Sequence, residues 1–171
     1  GADAIAAHSY IQSYGVSSDL LLVSSDSNKD TLKGYNVTTF YTSSKDISFD
    51  GYDIIIDGLF GVGINRPISD KRFVDLIDKI NILGDDTLVV SIDIASGTCA
   101  SSGYDYGSIC ADITLAIGFP KVGHFINDGV KNCGYVDIID IGFPAFKGTN
   151  ECPALLDLDD IKLFIADDSG Y

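Results

Sequence analysis

Asp53-Ile54-Ile55-Ile56-Asp57-Gly58-Leu59-Phe60-Gly61-Val62-Gly63-Ile64-Asn65-Arg66-Pro67 is the stretch that decides how the rest of the chain is read. Its apolar start has the length and β-branching of a buried strand, and a segment with helical spacing follows the glycines. A strand therefore delivers a carboxylate, then a glycine loop, then an arginine, to the mouth of a helix. In an open α/β sheet that is where ligands bind, outside the carboxyl ends of strands and beside helix N-termini. A second strand end, Ser91-Ile92-Asp93-Ile94-Ala95-Ser96-Gly97, has the same character. The two are expected to form one site.

Outward from these motifs, apolar runs alternate with helical spacing. Residues 1–14 are alanine-rich and predict a helix ending near Gly15. Strands are predicted at Asp19–Ser24, Asp53–Asp57, Thr87–Asp93, Ala111–Gly118 and Gly134–Gly142, and a strand or an extended edge segment at Val37–Tyr41. Ser69 is placed to cap a helix carrying Phe73, Leu76, Ile77 and Ile80, with Gly84 to end it. Residues 98–108 read as a loop, and a last short helix is expected around residues 159–165. Alternation of this kind predicts an α/β fold, a Rossmann-like three-layer sandwich with a mostly parallel sheet. The predicted domain spans residues 1–146, with 147–171 as a linker.

The 171 residues suit one such domain, at 46% hydrophobic and 21% charged residues. A net charge of −14 argues against general binding to nucleic-acid backbones or anionic membrane surfaces. It leaves room for a small phosphorylated ligand, which needs only local donors and one or two cations. Cys99, Cys110, Cys133 and Cys152 lack paired metal spacing and read as reduced thiols of a cytoplasmic protein. No apolar run is long enough to span a bilayer. The absence of Met and the start inside a helical pattern suggest a piece of a longer protein.

Several residues are candidates for chemistry. Gly61-Val62-Gly63 lacks the third glycine of the dinucleotide fingerprint, and as a bare pattern reads equally well as a tight turn. Arg66 raises the phosphate reading, since backbone N–H groups, a helix dipole and a guanidinium together suit a phosphate or pyrophosphate. Asp57 and Asp93 each close an apolar strand, where a charge is costly unless paired or coordinated. Singly, either reads best as a cap for loop N–H groups. Together, with Ser96, they make an oxygen-rich spot suited to a hard cation or to acid–base work. Lys121 is a candidate phosphate or ribose contact. His124 is left out as a surface loop residue, and nothing marks Cys99 as acidic.

The ordered motifs DGLFGVGINRP, SIDIASG, FPKVG and GYVDIIDIGFP carry a resemblance to a known family. They are similar to D-A-L-F-G-T-G-L-x-R-P, D-I-P-S-G, A-P-K-x-G and G-x-V-x-V-x-D-I-G-I-P of the YjeF N-terminal domain family, the NAD(P)H-hydrate epimerases. The resemblance covers essentially residues 1–144. It implies a Rossmann-like fold and a potassium-dependent isomerase that interconverts the R and S epimers of hydrated NADH or NADPH. By motif, Asp57 and Ser96 match potassium ligands, one ion per subunit. Gly61, Val62, Gly63, Ile64, Asn65, Arg66 and Pro67 match the loop holding the substrate, with Asp3, Asp93 and Lys121 as further contacts. Asp93 is assigned as the proton-handling, catalytic group. A homodimer is implied, and the tail resembles the linker to an ADP- or ATP-dependent dehydratase, so that enzyme, fused or separate, is the implied partner.

Departures from the family pattern are local. Gly1-Ala2-Asp3-Ala4 matches only the end of N-N-G-G-D-G, with alanines for two glycines, so the potassium-ligating asparagine and the strand before it are expected to lie before residue 1. Ala95 stands where the family has proline. The rival readings are a non-catalytic scaffold or dimerisation module of the same fold, as in mRNA-decapping enhancers, and a generic NAD-dependent oxidoreductase.

Overall fold

The structure, a computed structural model, describes residues 1–23, 32, 34–35, 48–144 and 155. Its centre is a four-stranded sheet of β1 (Ile54–Asp57), β2 (Leu88–Ile92), β3 (Ile113–Ile117) and β4 (Tyr135–Ile139), in the order β1-β2-β3-β4. All three pairings are parallel. The β-branched runs that predicted these strands extend one or more residues further than the ladders. An all-parallel sheet accompanied by helices is the Rossmann-like α/β architecture expected from the sequence.

Helix α1 (Ala2–Ser13) forms from the alanine-rich start and carries Asp3 in its first turn, where the helix dipole favours an anion. Gly15 follows at φ +77, the left-handed conformation that ends helices cheaply only for glycine. Ile5 is buried with Leu20 and Leu22, whereas Tyr10 and Tyr14 are exposed. Helix α2 (Lys71–Asn81) buries Leu76, Ile77 and Ile80 against Val89, Ile94 and Ile109. A 3-10 turn (Val122–His124) and the single-turn α3 (Gly129–Asn132) connect β3 to β4.

Two helix boundaries and one strand differ from expectation. Asp70, not Ser69, caps α2, accepting from the Arg72 N–H at 3.0 Å while its carboxylate also pairs with the Arg72 guanidinium. The helix stops at Asn81 rather than running to Gly84. There the Asn81 side chain donates to the Ser108 carbonyl and accepts from the Cys110 N–H, tying the helix end to the loop. Of the predicted strand Asp19–Ser24, only Leu21 makes a β-bridge among the described residues. Val37–Tyr41, the 159–165 helix and the linker apart from Leu155 lie outside the described residues. Among the described residues, no helix is long and apolar enough to cross a membrane.

The packing gives a contrast within one helix region. Leu76→Ala, at a position 1% exposed, should cost about 2–5 kcal/mol in urea unfolding, against less than about 0.5 kcal/mol for Ile82→Ala at 80% exposed. Equal losses would contradict the assignment of the core.

Candidate active site

The parallel register sets Asp57 opposite Ser91, so the carboxyl ends of β1 and β2 lie side by side. Asp57 is 2% exposed, and a carboxylate so buried must be satisfied. Its Oδ1 accepts from the Leu59 N–H at 3.1 Å and the Ser96 hydroxyl at 2.6 Å. Its Oδ2 accepts from the Ser91 hydroxyl at 2.7 Å and the Ser96 N–H at 2.9 Å. Those bonds use about four acceptor positions, the full capacity of a carboxylate. Ser96 Oγ accepts in turn from the Phe60 N–H at 2.9 Å, anchoring the start of the glycine loop. The two strand ends are thus tied to each other.

Asp57 thus acts as the loop cap that its position in the sequence first suggested. Its oxygens and that of Ser96 are taken up by each other and by fixed backbone donors. As placed, the pair does not by itself offer the open oxygens that a potassium ion needs. Among the described residues no group of three or more His, Cys, Asp or Glu side chains is arranged to hold a metal.

The glycine loop is open. Gly61, Val62, Gly63, Asn65, Arg66 and Pro67 are exposed and Ile64 is half-buried. A Cβ built on Gly61 or Gly63 would meet nothing within 4 Å, and neither has a positive φ. The fold therefore does not require glycine there, whereas a ligand approaching the backbone would. Arg66 makes no hydrogen bond or ion pair to the described residues. The loop ends where the Ile68 N–H reaches the Tyr106 carbonyl at 2.9 Å. Asp3 is exposed in the first turn of α1, whose Ala4 sits directly against Gly58.

Asp93 follows β2 in a strained conformation. Its φ is +71, and the Ile94 N–H donates back to the Ile92 carbonyl at 2.9 Å, a tight γ-turn centred on Asp93. Gly118 repeats this at the end of β3, with φ +71 and the Phe119 N–H donating to the Ile117 carbonyl at 2.8 Å. Glycine takes such a turn freely, while a non-glycine residue there costs about 1–3 kcal/mol and marks sites where function outweighs strain. The Asp93 Oδ1 accepts from the Ile117 N–H at 3.1 Å and pairs with the Lys121 ammonium. Its Oδ2 has no partner among the described residues, and the side chain is 22% exposed.

His124 is the residue that sequence reasoning misplaced. It is 1% exposed, not on the surface, and it touches both Asp93 and Lys121. Burial pushes its imidazole below the ordinary value of 6.5, as burial also does for His8. Nor did the sequence mark Cys99, whose thiol is brought down to about 7 by hydrogen bonds from Ser101 and then Ser102.

Two predictions follow from these environments. In Asp57→Asn, whichever way the amide turns, its NH₂ faces a backbone N–H of Leu59 or Ser96, an unsatisfied pairing worth about 1–3 kcal/mol in denaturant unfolding. A stability equal to wild type would show that the carboxylate is not needed as an acceptor. For pH, His8 and His124 are held neutral, so on acidification the unfolded chain takes up protons first. Stability should be full above about 6.5 and fall as pH drops from there toward the lowered folded values. Melting temperatures at pH 7.5 and 5.5 measure this, and His124→Gln should flatten the slope.

Comparison with known proteins adds the family. The family described as YjeF-related protein N-terminus matches residues 1–123. The chain is 32% identical over 151 residues to an NAD(P)H-hydrate epimerase of Weissella koreensis, covering 83% of this chain and 66% of the relative. It is 31% identical over 158 residues to a bifunctional NAD(P)H-hydrate repair enzyme Nnr of Dictyoglomus turgidum, covering 84% of this chain and 29% of that protein. A Levilactobacillus brevis NAD(P)H-hydrate epimerase is 36% identical over 93 residues, 54% of this chain and 42% of the relative. The chain thus spans 66% or less of the length of each of these proteins. With the match over residues 1–123 and the four-stranded parallel sheet, the chain belongs to the YjeF-related N-terminal family.

Proposed function

We propose that this domain binds hydrated NADH or NADPH at the carboxyl ends of β1, β2 and β3 and interconverts the R and S epimers, an isomerase reaction. The observation that carries the reading is the Asp93–Lys121 pair, a carboxylate held by an ammonium and a backbone N–H, with no partner for its other oxygen among the described residues. The names of the relatives and the family membership support the substrate class.

Epimerisation at a carbon bearing both a nitrogen and a hydroxyl has two balanced routes. In ring opening, a base takes the hydroxyl proton as the carbon–nitrogen bond breaks, and the nitrogen gains a proton. After rotation about the adjacent carbon–carbon bond, closure on the other face reverses these transfers. In the second route the protonated hydroxyl leaves as water, and water adds to the opposite face and gives up its proton. Both need one group that accepts and returns a proton within hydrogen-bond reach. Asp93 Oδ2 is assigned that role, with Lys121 steadying Oδ1 and lying ready for a phosphate or ribose oxygen.

Gly61 to Pro67 supply the dinucleotide contacts, with open backbone N–H groups, Arg66 as the cation and Asp3 at the rim. Potassium rests on the family resemblance alone. A homodimer, and a dehydratase fused or separate that consumes the S epimer, complete the reading.

The test is equilibration of the purified epimers, followed by chromatography or NMR. The domain should speed it, and Asp93→Asn should cut the rate at least 100-fold with a smaller change in KM. Gly63→Ala should leave stability within about 0.5 kcal/mol yet raise KM several-fold, because the new Cβ meets ligand rather than protein. An Asp93→Asn rate equal to wild type would remove the assigned role. No wild-type rate above background would favour the non-catalytic module.

A further inference from the structure

The imidazole of His124 lies between the two members of the proposed acid–base pair. One ring nitrogen, Nε2, is 2.9 Å from the Asp93 carbonyl oxygen, and the other, Nδ1, receives the Lys121 backbone N–H at 3.2 Å. A carbonyl only accepts and a backbone N–H only donates, so the partners dictate the tautomer: Nε2 carries the proton and Nδ1 is bare. A second proton on Nδ1 would face the Lys121 N–H. It would also place a cation beside the Lys121 ammonium, in a position shut off from water.

The two bonds fall where the site is least self-sufficient. At Asp93 the γ-turn closes between Ile92 and Ile94, leaving the Asp93 carbonyl outside the ladder of β2. The Asp93 N–H is fixed by the Leu115 carbonyl at 2.8 Å, and the His124 Nε2–H fixes the other end of the residue. At Lys121 the ring holds the backbone immediately before the 3-10 turn, from which the ammonium reaches back to Asp93 and to the Ile117 carbonyl. The adjoining segment is closely packed: the Gly123 N–H donates to the Ala100 carbonyl at 2.7 Å, and a Cβ on Gly123 would lie 2.2 Å from the Cys99 carbonyl oxygen.

We propose that His124 is a positioning residue of this site, a neutral imidazole that clamps the strained Asp93 turn to the Lys121 backbone and so fixes the direction of the Asp93 carboxylate. The inference rests on the epimerase reading for its catalytic consequence, but its structural half stands on the two hydrogen bonds alone. Gln in place of His offers one donor and one acceptor at comparable reach, while Leu offers neither.

The experiment compares wild type, His124→Gln and His124→Leu in epimerisation kinetics and in substrate-free NMR. In wild type, the ¹⁵N shifts of His124 should show the Nε2–H tautomer at pH 7. In His124→Leu, kcat should fall at least tenfold with KM within about twofold, and exchange of the Ile94 amide that closes the turn should quicken at least tenfold. His124→Gln should restore kcat to within about threefold of wild type and most of the Ile94 protection. The Nδ1–H tautomer in wild type, or unchanged kcat and Ile94 exchange in His124→Leu, would overturn the proposal. So would a kcat loss with unchanged Ile94 exchange. If His124→Leu fails to fold, the wild-type tautomer and the His124→Gln kinetics still decide. If wild type shows no epimerisation, the proposed function fails, while the tautomer and the Ile94 exchange of the variants judge the clamp separately.

Discussion

A buried charge with no water must be surrounded by donors, and Asp57 is that constraint in this fold. Its donors come from three places in the chain: Leu59 just beyond β1, Ser91 on β2, and Ser96 in the turn after β2. The carboxylate is satisfied only when β1 and β2 pair in register and both outgoing loops converge. Removing any one donor leaves part of a desolvated charge unmatched, so the network couples the pairing of β1 and β2 to the placement of both outgoing loops. The glycine loop owes its position to the same network, since Ser96 holds both the carboxylate and the Phe60 N–H.

Two residues along from Ser91, the same strand carries strain instead of satisfaction. β2 and β3 leave the sheet through matching γ-turns, one centred on Gly118 and the other on Asp93. The glycine solution was available at both ends. An aspartate at one of them costs stability and leaves a carboxylate partly exposed at the end of β2. Ile117, Lys121 and His124 over-determine that conformation. The two carboxylates therefore differ in kind: Asp57 ties the ends of β1 and β2 together, and Asp93 is held in a strained turn with part of its side chain exposed.

Much of this was legible in the sequence where local pattern and burial agree. Ile54–Asp57 and Leu88–Ile92 are β-branched, apolar runs ended by polar residues, and they form the strands that such runs predict. Leu76, Ile77 and Ile80 recur at helical spacing and pack as one face. Leu20–Leu22 has the composition of a strand, but whether it pairs depends on neighbours far away in the chain, and only Leu21 bridges among the described residues. Ser69 and Asp70 are both good caps, and only the guanidinium of Arg72 distinguishes them. The positive φ of Asp93 left no trace, because aspartate is common at ordinary strand ends. His124 was missed because a loop position says nothing of what packs above it, although its spacing of three from Lys121 was the available hint.

The central claim is that the glycine loop, Asp93 and Lys121 line one dinucleotide site. Amide chemical-shift mapping on titration with hydrated NADPH tests it most directly. The account predicts saturable shifts at Gly61, Gly63, Asn65, Asp93 and Lys121, with Tyr135 to Ile139 of the far strand unmoved. Shifts confined to β4 or to α1, with the loop and Asp93 silent, would contradict it.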